Sequence, residues 1–179
     1  MKSALILTLP DWHGAGPDHW LSRWELLHGP QRLEQHDWQR PLRGDWSARL
    51  QETVIDSPRP VVLVAHGLGC ILAAWWAAHS GQAHRVQAAL LVAPTDTEAE
   101  DARQRLPGWA PIAQQPLPFA ALLVASRNDP HCRFERAQAL ASAWGAGLVD
   151  GGACGHFDAT AALGDWPAGH ALLASLKKD

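Results

Sequence analysis

Residues 61–79 read VVLVAHGLGCILAAWWAAH, and this stretch decides the fold. Its first five residues form an apolar run without polar alternation, as expected for a strand that is covered on both faces of a parallel sheet. Residues 68–79 follow an apolar helical pattern, and the turn between strand and helix contains Gly67 and Gly69. Small residues at such a turn permit close packing of the helix on the sheet. The stretch therefore predicts a strand, a tight elbow at Gly67 and a buried helix.

The same alternation continues on both sides of this unit. Further apolar runs predict strands at residues 4–9, 88–93, 120–125 and 147–149. Helical patterns lie at residues 20–27, 45–55, 99–105, 133–144 and 167–176. Alternating strands and helices favour a mainly parallel sheet between two layers of helices, with ligands bound at the carboxyl ends of the strands. We therefore predict a three-layer α/β/α sandwich.

Length and composition restrict the class of protein. A chain of 179 residues has the usual size of one domain, so we predict a single domain over residues 1–179. The net charge of −3 gives no basic face for nucleic acid or anionic lipid, so neither is an expected partner. The first apolar run is too short for a signal peptide or a membrane span, which predicts a cytoplasmic protein. The cysteines are odd in number and lack metal-ligand spacing, so we expect reduced thiols.

The turn after residues 61–65 has the layout of a nucleophile elbow, G-x-S-x-G, with Ala65 and Gly69 as the small flanking residues. The central position holds Gly67, which has no side-chain atom that can attack a substrate. Glycine tolerates the backbone of such a turn, where other residues carry roughly 1–3 kcal/mol of strain. The alternative interpretation is a plain tight turn before a buried helix.

Two further residues follow the elbow in the chain order of an α/β-hydrolase triad. Asp129 comes shortly after the strand at residues 120–125, where an acid can orient an imidazole. His156 lies at the tip of a glycine-rich loop and has the position of the general base. An isolated Asp-Pro pair is more typical of a turn, but the order of the three positions favours catalysis. The other histidines show no spacing typical of a metal site, so no metal or other cofactor is predicted.

Four segments together resemble a known family: residues 17–20, the elbow around Gly67, residues 125–130, and residues 155–156 with 163–167. They are similar to the small bacterial serine hydrolases grouped with YdeN and with human retinoblastoma-binding protein 9. The resemblance spans nearly the whole chain. It implies a minimal α/β-hydrolase fold without a large cap domain, and it implies ester hydrolysis as the activity. It implies that Asp129 is the triad acid, that His156 is the general base, and that the backbone N–H groups of Leu68 and Trp12 form the oxyanion hole.

The chain departs from this family at two positions. Gly67 stands where the family has its serine, and Asp158 stands where an asparagine is common. The first departure predicts that the chain is inactive or nearly so.

Three hypotheses account for Gly67. In the first, the natural protein hydrolyses small esters or acyl compounds and this chain is an engineered Ser-to-Gly form; the intact Asp129 and His156 favour it. In the second, the chain is a natural pseudoenzyme that binds a small ester-like or acyl ligand, or a protein partner, in the former active-site cleft. In the third, water fills the vacated space and is activated by His156.

We expect aromatic residues on loops beside the site to line the substrate pocket. These are Trp12, Trp109, Phe157 and Trp166. Their rings suit an apolar acyl or alcohol group, although packing in the core is the alternative role for each. The length of the chain predicts a shallow, open cleft for small or extended substrates.

Overall fold

The computed structural model describes residues 3–177, so the ends of the domain predicted for residues 1–179 lie outside the described residues. Its strands are Leu5–Leu9 (β1), Gln31–Arg32 (β2), Val61–His66 (β3), Val86–Val92 (β4), Ala120–Ala125 (β5) and Gly147–Asp150 (β6). Its α-helices are Trp20–His28 (α1), Arg43–Asp56 (α2), Leu68–His79 (α3), Glu100–Arg105 (α4), Phe134–Trp144 (α5) and Pro167–Leu176 (α6).

The strands form one parallel sheet in the order β2-β1-β3-β4-β5-β6. This confirms the predicted α/β fold with its parallel sheet. The two-residue edge strand β2 was not predicted, because a partly exposed Gln-Arg pair carries no apolar run.

Apolar side chains from the two faces of the sheet form two cores. Leu63 of β3 belongs to the core that α2, α3 and α5 cover, whereas its neighbours Val62 and Val64 belong to the core that α1 and α6 cover. This double burial explains why the central strands are mainly apolar. Truncating such a buried aliphatic side chain to alanine typically costs about 1–5 kcal/mol. The sheet is therefore a rigid base for the loops at its carboxyl end.

The register of β1 and β3 brings two loops together. Leu9 pairs with Ala65, so Asp11, just beyond β1, lies beside Gly67, which directly follows β3. A Cβ atom on Gly69 would lie well under 3.0 Å from the carbonyl oxygen of Leu9. Glycine at this position therefore lets the first turn of α3 pack against the end of β1.

Within residues 3–177, no helix has both the length and the apolar character needed to cross a lipid bilayer. Cys70, Cys132 and Cys154 are free thiols.

Candidate active site

Gly67 forms the elbow between β3 and α3. Its backbone angles are φ +54° and ψ −117°, a conformation that costs a non-glycine residue about 1–3 kcal/mol. The Gly67 N–H donates to the carbonyl of Val92 at 3.0 Å, and its carbonyl accepts from the N–H of Cys70 at 3.1 Å. These bonds to β4 and α3 hold the backbone in the geometry of a nucleophile elbow, although glycine supplies no nucleophile.

The carboxylate of Asp11 fills the space that a side chain at position 67 would take. A Cβ atom on Gly67 would lie well under 3.0 Å from Cγ and from both carboxylate oxygens of Asp11. Oδ1 accepts a hydrogen bond from the N–H of Leu68 at 2.6 Å, and Oδ2 lies 2.9 Å from Nε2 of His156. Asp11 thus lies where a side chain at position 67 would lie, and it binds the N–H group of Leu68 that was predicted to stabilise the oxyanion.

Asp11 was not predicted as a site residue. Its position directly after the first strand, at the same sheet edge as Gly67 and Asp129, could have indicated it. That position predicts proximity to Gly67, but it does not predict the direction of the side chain.

His156 lies between two carboxylates. Its Nδ1 is 3.0 Å from each oxygen of Asp129, and its Nε2 faces Asp11. The side chain of His156 is 4% exposed and that of Asp129 is 2% exposed. Burial alone would lower the pKa of His156, but the hydrogen bonds with Asp11 and Asp129 raise this pKa to about 10. Because both nitrogens then carry hydrogens, the resting imidazole is a cation that can donate a proton but cannot accept one.

Asp11 is an anion in the same arrangement. Burial would raise the pKa of its carboxyl, but the hydrogen bond with His156 and that from the N–H of Leu68 help to lower this pKa to about 2. Leu68 begins the 12-residue helix α3, whose N-terminal dipole also favours a negative charge. The side chain of Asp11 remains 17% exposed, so small molecules in the cleft can reach it.

Ser126 and Asn128 connect the loops that carry the acid and the histidine. The hydroxyl of Ser126 donates to Oδ1 of Asn128 at 2.9 Å and accepts from the N–H of Cys154 at 3.0 Å. Oδ1 of Asn128 also accepts from the N–H of Gly155 at 2.7 Å. These contacts fix the loop just before His156 and so preserve its contact with the acid.

Two buried histidines hold the backbone of His156. Nδ1 of His19 accepts from the N–H of Leu21 at 3.1 Å, so its Nε2 carries the hydrogen and donates to Nδ1 of His66 at 3.2 Å. Nε2 of His66 in turn donates to the carbonyl of His156 at 2.7 Å. Burial lowers the pKa of His19 to about 3 and also lowers the pKa of His66. Both imidazoles are therefore neutral, and the two histidines position the backbone of His156.

The side chains of Asp11, His66 and His156 offer ligand atoms within 4.8 Å of one another, a spacing that a metal ion could bridge. Both ring nitrogens of His66 already take part in hydrogen bonds, and both nitrogens of His156 face carboxylates. A metal at this position would have to displace these bonds, so the donor set fits a hydrogen-bonded cluster better than a metal centre.

A cleft of about 250 Å³ lies over Asp11 and His156 at the carboxyl end of the sheet. Trp12 lines it, and its indole N–H donates to the carbonyl of Gln39 at 3.0 Å. The role of the Trp12 backbone N–H in an oxyanion hole stays a prediction. Arg105 also lines the cleft, and its guanidinium lies over the Trp12 ring, 4.9 Å from the ring centroid.

The other three residues predicted to line the pocket lie in the cores instead. Trp109 is fully buried, and its indole N–H donates to the carbonyl of Pro41 at 2.9 Å. Phe157 and Trp166 pack against each other under α1 and α6, with ring centroids 5.3 Å apart. The prediction that Trp109, Phe157 and Trp166 line the pocket is thus wrong: their large rings are buried and pack in the two cores.

Known proteins share this arrangement of elements. The sequence profile of the serine hydrolase family matches residues 6–175. A YdeN-like hydrolase from Pectobacterium atrosepticum is 28% identical with a TM-score of 0.85, over 97% of this chain and 90% of that chain. The ydeN gene product from B. subtilis is 20% identical with a TM-score of 0.79, over 99% of this chain and 100% of that chain.

A more distant structure shares the fold alone. Est1E from Butyrivibrio proteoclasticus, solved with bound ferulic acid, is 12% identical with a TM-score of 0.69, over 99% of this chain and 88% of that chain. No curated protein matches the chain.

Proposed function

Because the chain belongs to the serine hydrolase family, we propose that it keeps the family's cleft but does not carry out serine-dependent ester or acyl hydrolysis. That reaction needs a hydroxyl at the elbow, a free N–H for the oxyanion and a neutral histidine as base. Gly67 has no hydroxyl, the N–H of Leu68 is bound to Asp11, and His156 is a cation. The position of the Asp11 carboxylate is the observation that carries the proposal, since it accounts for the last two of these differences.

The same contact supports a natural replacement over an engineered Ser-to-Gly form. Deleting a serine side chain would leave a gap in front of His156. Here a carboxylate from another loop fills that place and bonds to Leu68 and His156, the partners that a serine and its oxyanion would use. A serine at position 67 and Asp11 in its present position exclude each other. We therefore infer that Asp11 and Gly67 arose as a matched pair.

Water-based hydrolysis, the third hypothesis, has less support. It needs an empty space at the elbow, which Asp11 fills, and a neutral imidazole, which the two carboxylates disfavour. A small-molecule ligand of the ester or acyl class fits the cleft volume of about 250 Å³. No feature of the described surface points to a protein partner.

Labelling with a fluorophosphonate probe, followed by intact mass, tests the proposal. We expect the wild-type chain to stay unlabelled and Gly67→Ser to be labelled much more slowly than the double variant below, because Asp11 must leave its position before the serine and its oxyanion site can be used. The double variant Asp11→Gly/Gly67→Ser removes the block, so it should be labelled. Labelling of the wild-type chain, or of Gly67→Ser as fast as of the double variant, contradicts the proposal.

Two controls make the labelling result specific. Adding His156→Ala to the double variant should abolish labelling, because the new serine then lacks its base. Asp56→Asn/Gly67→Ser removes an exposed carboxylate at the end of α2 instead, and should be labelled as slowly as Gly67→Ser. A folded double variant without labelling would show that the acid and base no longer serve a serine.

A further inference from the structure

We propose that Asp11 is itself a nucleophile and that the site opens epoxides, three-membered cyclic ethers, through a covalent Asp11 ester. The inference rests on the proposed function in one respect: Asp11 occupies the place of the serine. It goes further because it assigns that carboxylate a reaction and the cleft a substrate class.

The surroundings of Asp11 meet the needs of a carboxylate nucleophile. Its charge lies at the elbow, the position from which this fold attacks a substrate, and its side chain is reachable from the cleft. Oδ1 is held by the N–H of Leu68 at 2.6 Å, and Oδ2, which accepts a hydrogen bond from His156, is the oxygen placed to attack. After attack, Oδ1 becomes the carbonyl oxygen of the ester. The N–H of Leu68 then lies where an oxyanion forms when water attacks that carbonyl.

The resting charge of His156 selects the kind of leaving group. In the first step, Oδ2 of Asp11 bonds to a ring carbon of the epoxide, and the bond between that carbon and the ring oxygen breaks. The ring oxygen takes the electron pair and a proton from Nε2 of His156, which lies 2.9 Å from the attacking carboxylate. A halide leaving group would take no proton, so His156 would stay protonated. A strained cyclic ether therefore fits this site better than an alkyl halide.

Formation of the Asp11 ester leaves His156 as the base for the second step. Asp11 carries no charge in the ester, so His156, now neutral, keeps only one of its two hydrogen-bonded carboxylate partners, Asp129. His156 removes a proton from water, and the hydroxide adds to Cγ of the ester with Leu68 stabilising the oxyanion. Collapse breaks the bond between Cγ and the diol oxygen, and the proton of the new Asp11 acid passes to that oxygen. The net reaction is epoxide plus water to vicinal diol, and Asp11 and His156 regain their starting charges.

Part of the cleft wall is apolar and fits a small epoxide with an apolar substituent. Trp12, Leu106 and Pro130 line the volume of about 250 Å³ together with polar side chains such as Thr95 and Arg105. The probes are therefore 1,2-epoxyhexane and styrene oxide.

The decisive experiment is a single turnover of the wild-type protein in H₂¹⁸O, with protein in excess over epoxide. If Asp11 forms the ester and water attacks Cγ, one ¹⁸O atom enters the Asp11 carboxylate, and peptide mass spectrometry finds it there. The first diol then contains only ¹⁶O. Diol that carries ¹⁸O with an unlabelled Asp11, or the absence of both diol and Asp11 adduct with either probe, overturns the proposal.

Variants separate reactivity at Asp11 from general reactivity of carboxylates. Asp11→Asn should lower diol formation by roughly a thousandfold or more, as expected when a nucleophile is lost. Asp56→Asn, an exposed carboxylate far from the cleft, should leave it unchanged. Thermal unfolding checks that Asp11→Asn is folded, and the isotope result on the wild-type chain needs no variant. A protein that gives no diol yet resists the fluorophosphonate overturns this inference and leaves the proposed function standing.

Discussion

The carboxylate of Asp11 and the bare backbone of Gly67 share one space at the junction of β3 and α3. Two loops that are far apart in sequence meet there because β1 and β3 pair along their full length. The carboxylate binds the first N–H of α3 and the imidazole of His156, which together would serve a serine nucleophile in this fold. A carboxylate therefore lies at the elbow, facing the cleft and in contact with His156.

His156 should titrate far above a free histidine. The groups that face its ring are Asp11, Asp129, His66, His131 and Asp158. We expect ¹⁵N NMR to show both ring nitrogens protonated at pH 8, with a midpoint near pH 10. Asp11→Asn removes one of the two carboxylates and should lower this midpoint by more than about one pH unit. A wild-type midpoint near 6.5 would refute the description of His156 as a cation.

The same titration has a consequence for stability. The pKa of His156 is raised from 6.5 in the unfolded chain to about 10 in the folded one, so the folded state holds its proton more tightly. The stabilising contribution is therefore complete below pH 6.5 and is lost as the pH rises through about 10. Urea unfolding between pH 7 and pH 10 should show this loss in the wild-type chain and a smaller one in His156→Gln. Parallel curves would contradict it.

His19 should limit stability in acid. Burial lowers its pKa from 6.5 to about 3, so the folded state resists a proton that the unfolded chain accepts. Its contribution is present above pH 6.5 and is lost as the pH falls towards 3. We expect His19→Gln to reduce the loss of unfolding free energy between pH 7 and pH 4, and the exposed His36→Gln to leave it unchanged. Equal slopes for His19→Gln and the wild type would disprove this role.

Two of the three thiols should be inert in the folded protein. Burial raises the pKa of Cys70, and it raises the pKa of Cys132 to about 12. Because the thiolate is the reactive form, iodoacetamide at pH 8 should spare both, and only the partly exposed Cys154 should be modified readily. Peptide mass spectrometry with and without urea measures this. Rapid native alkylation of Cys70 would mean that α3 opens far more easily than its packing indicates.

The sequence predicts the fold well because the central strands are mainly apolar on both faces and alternate with helical patterns along the chain. Strand Ala120–Ala125 and helices Leu68–His79 and Pro167–Leu176 lie where they were predicted. The short edge strand Gln31–Arg32 was missed, since pairing with β1 and not its composition makes it a strand.

The sequence predicts only some of the site residues. Asp129 and His156 could be placed because strand ends and chain order fix them near each other. The ring directions of Trp109 and Trp166 could not be predicted, because a loop residue can face the cleft or the core with the same sequence. Asp11 was missed for a related reason: its rotamer depends on the space left by a glycine more than fifty residues away.

A double-mutant cycle on the free energy of unfolding tests most directly whether Asp11 and Gly67 share one space. Gly67→Ala should destabilise the wild-type chain by about 2–4 kcal/mol, through backbone strain and overlap with Asp11. In Asp11→Gly it should cost only the strain, about 1–3 kcal/mol. Gly164→Ala is the matched control, because Gly164 has φ +58° and nothing within 4 Å of a Cβ atom.

We expect a coupling between positions 11 and 67 of at least about 1 kcal/mol, and the same cost for Gly164→Ala in both backgrounds. If Gly67→Ala costs as much without Asp11 as with it, the carboxylate does not fill the space beside Gly67, and the proposed exclusion of a serine from that position is wrong.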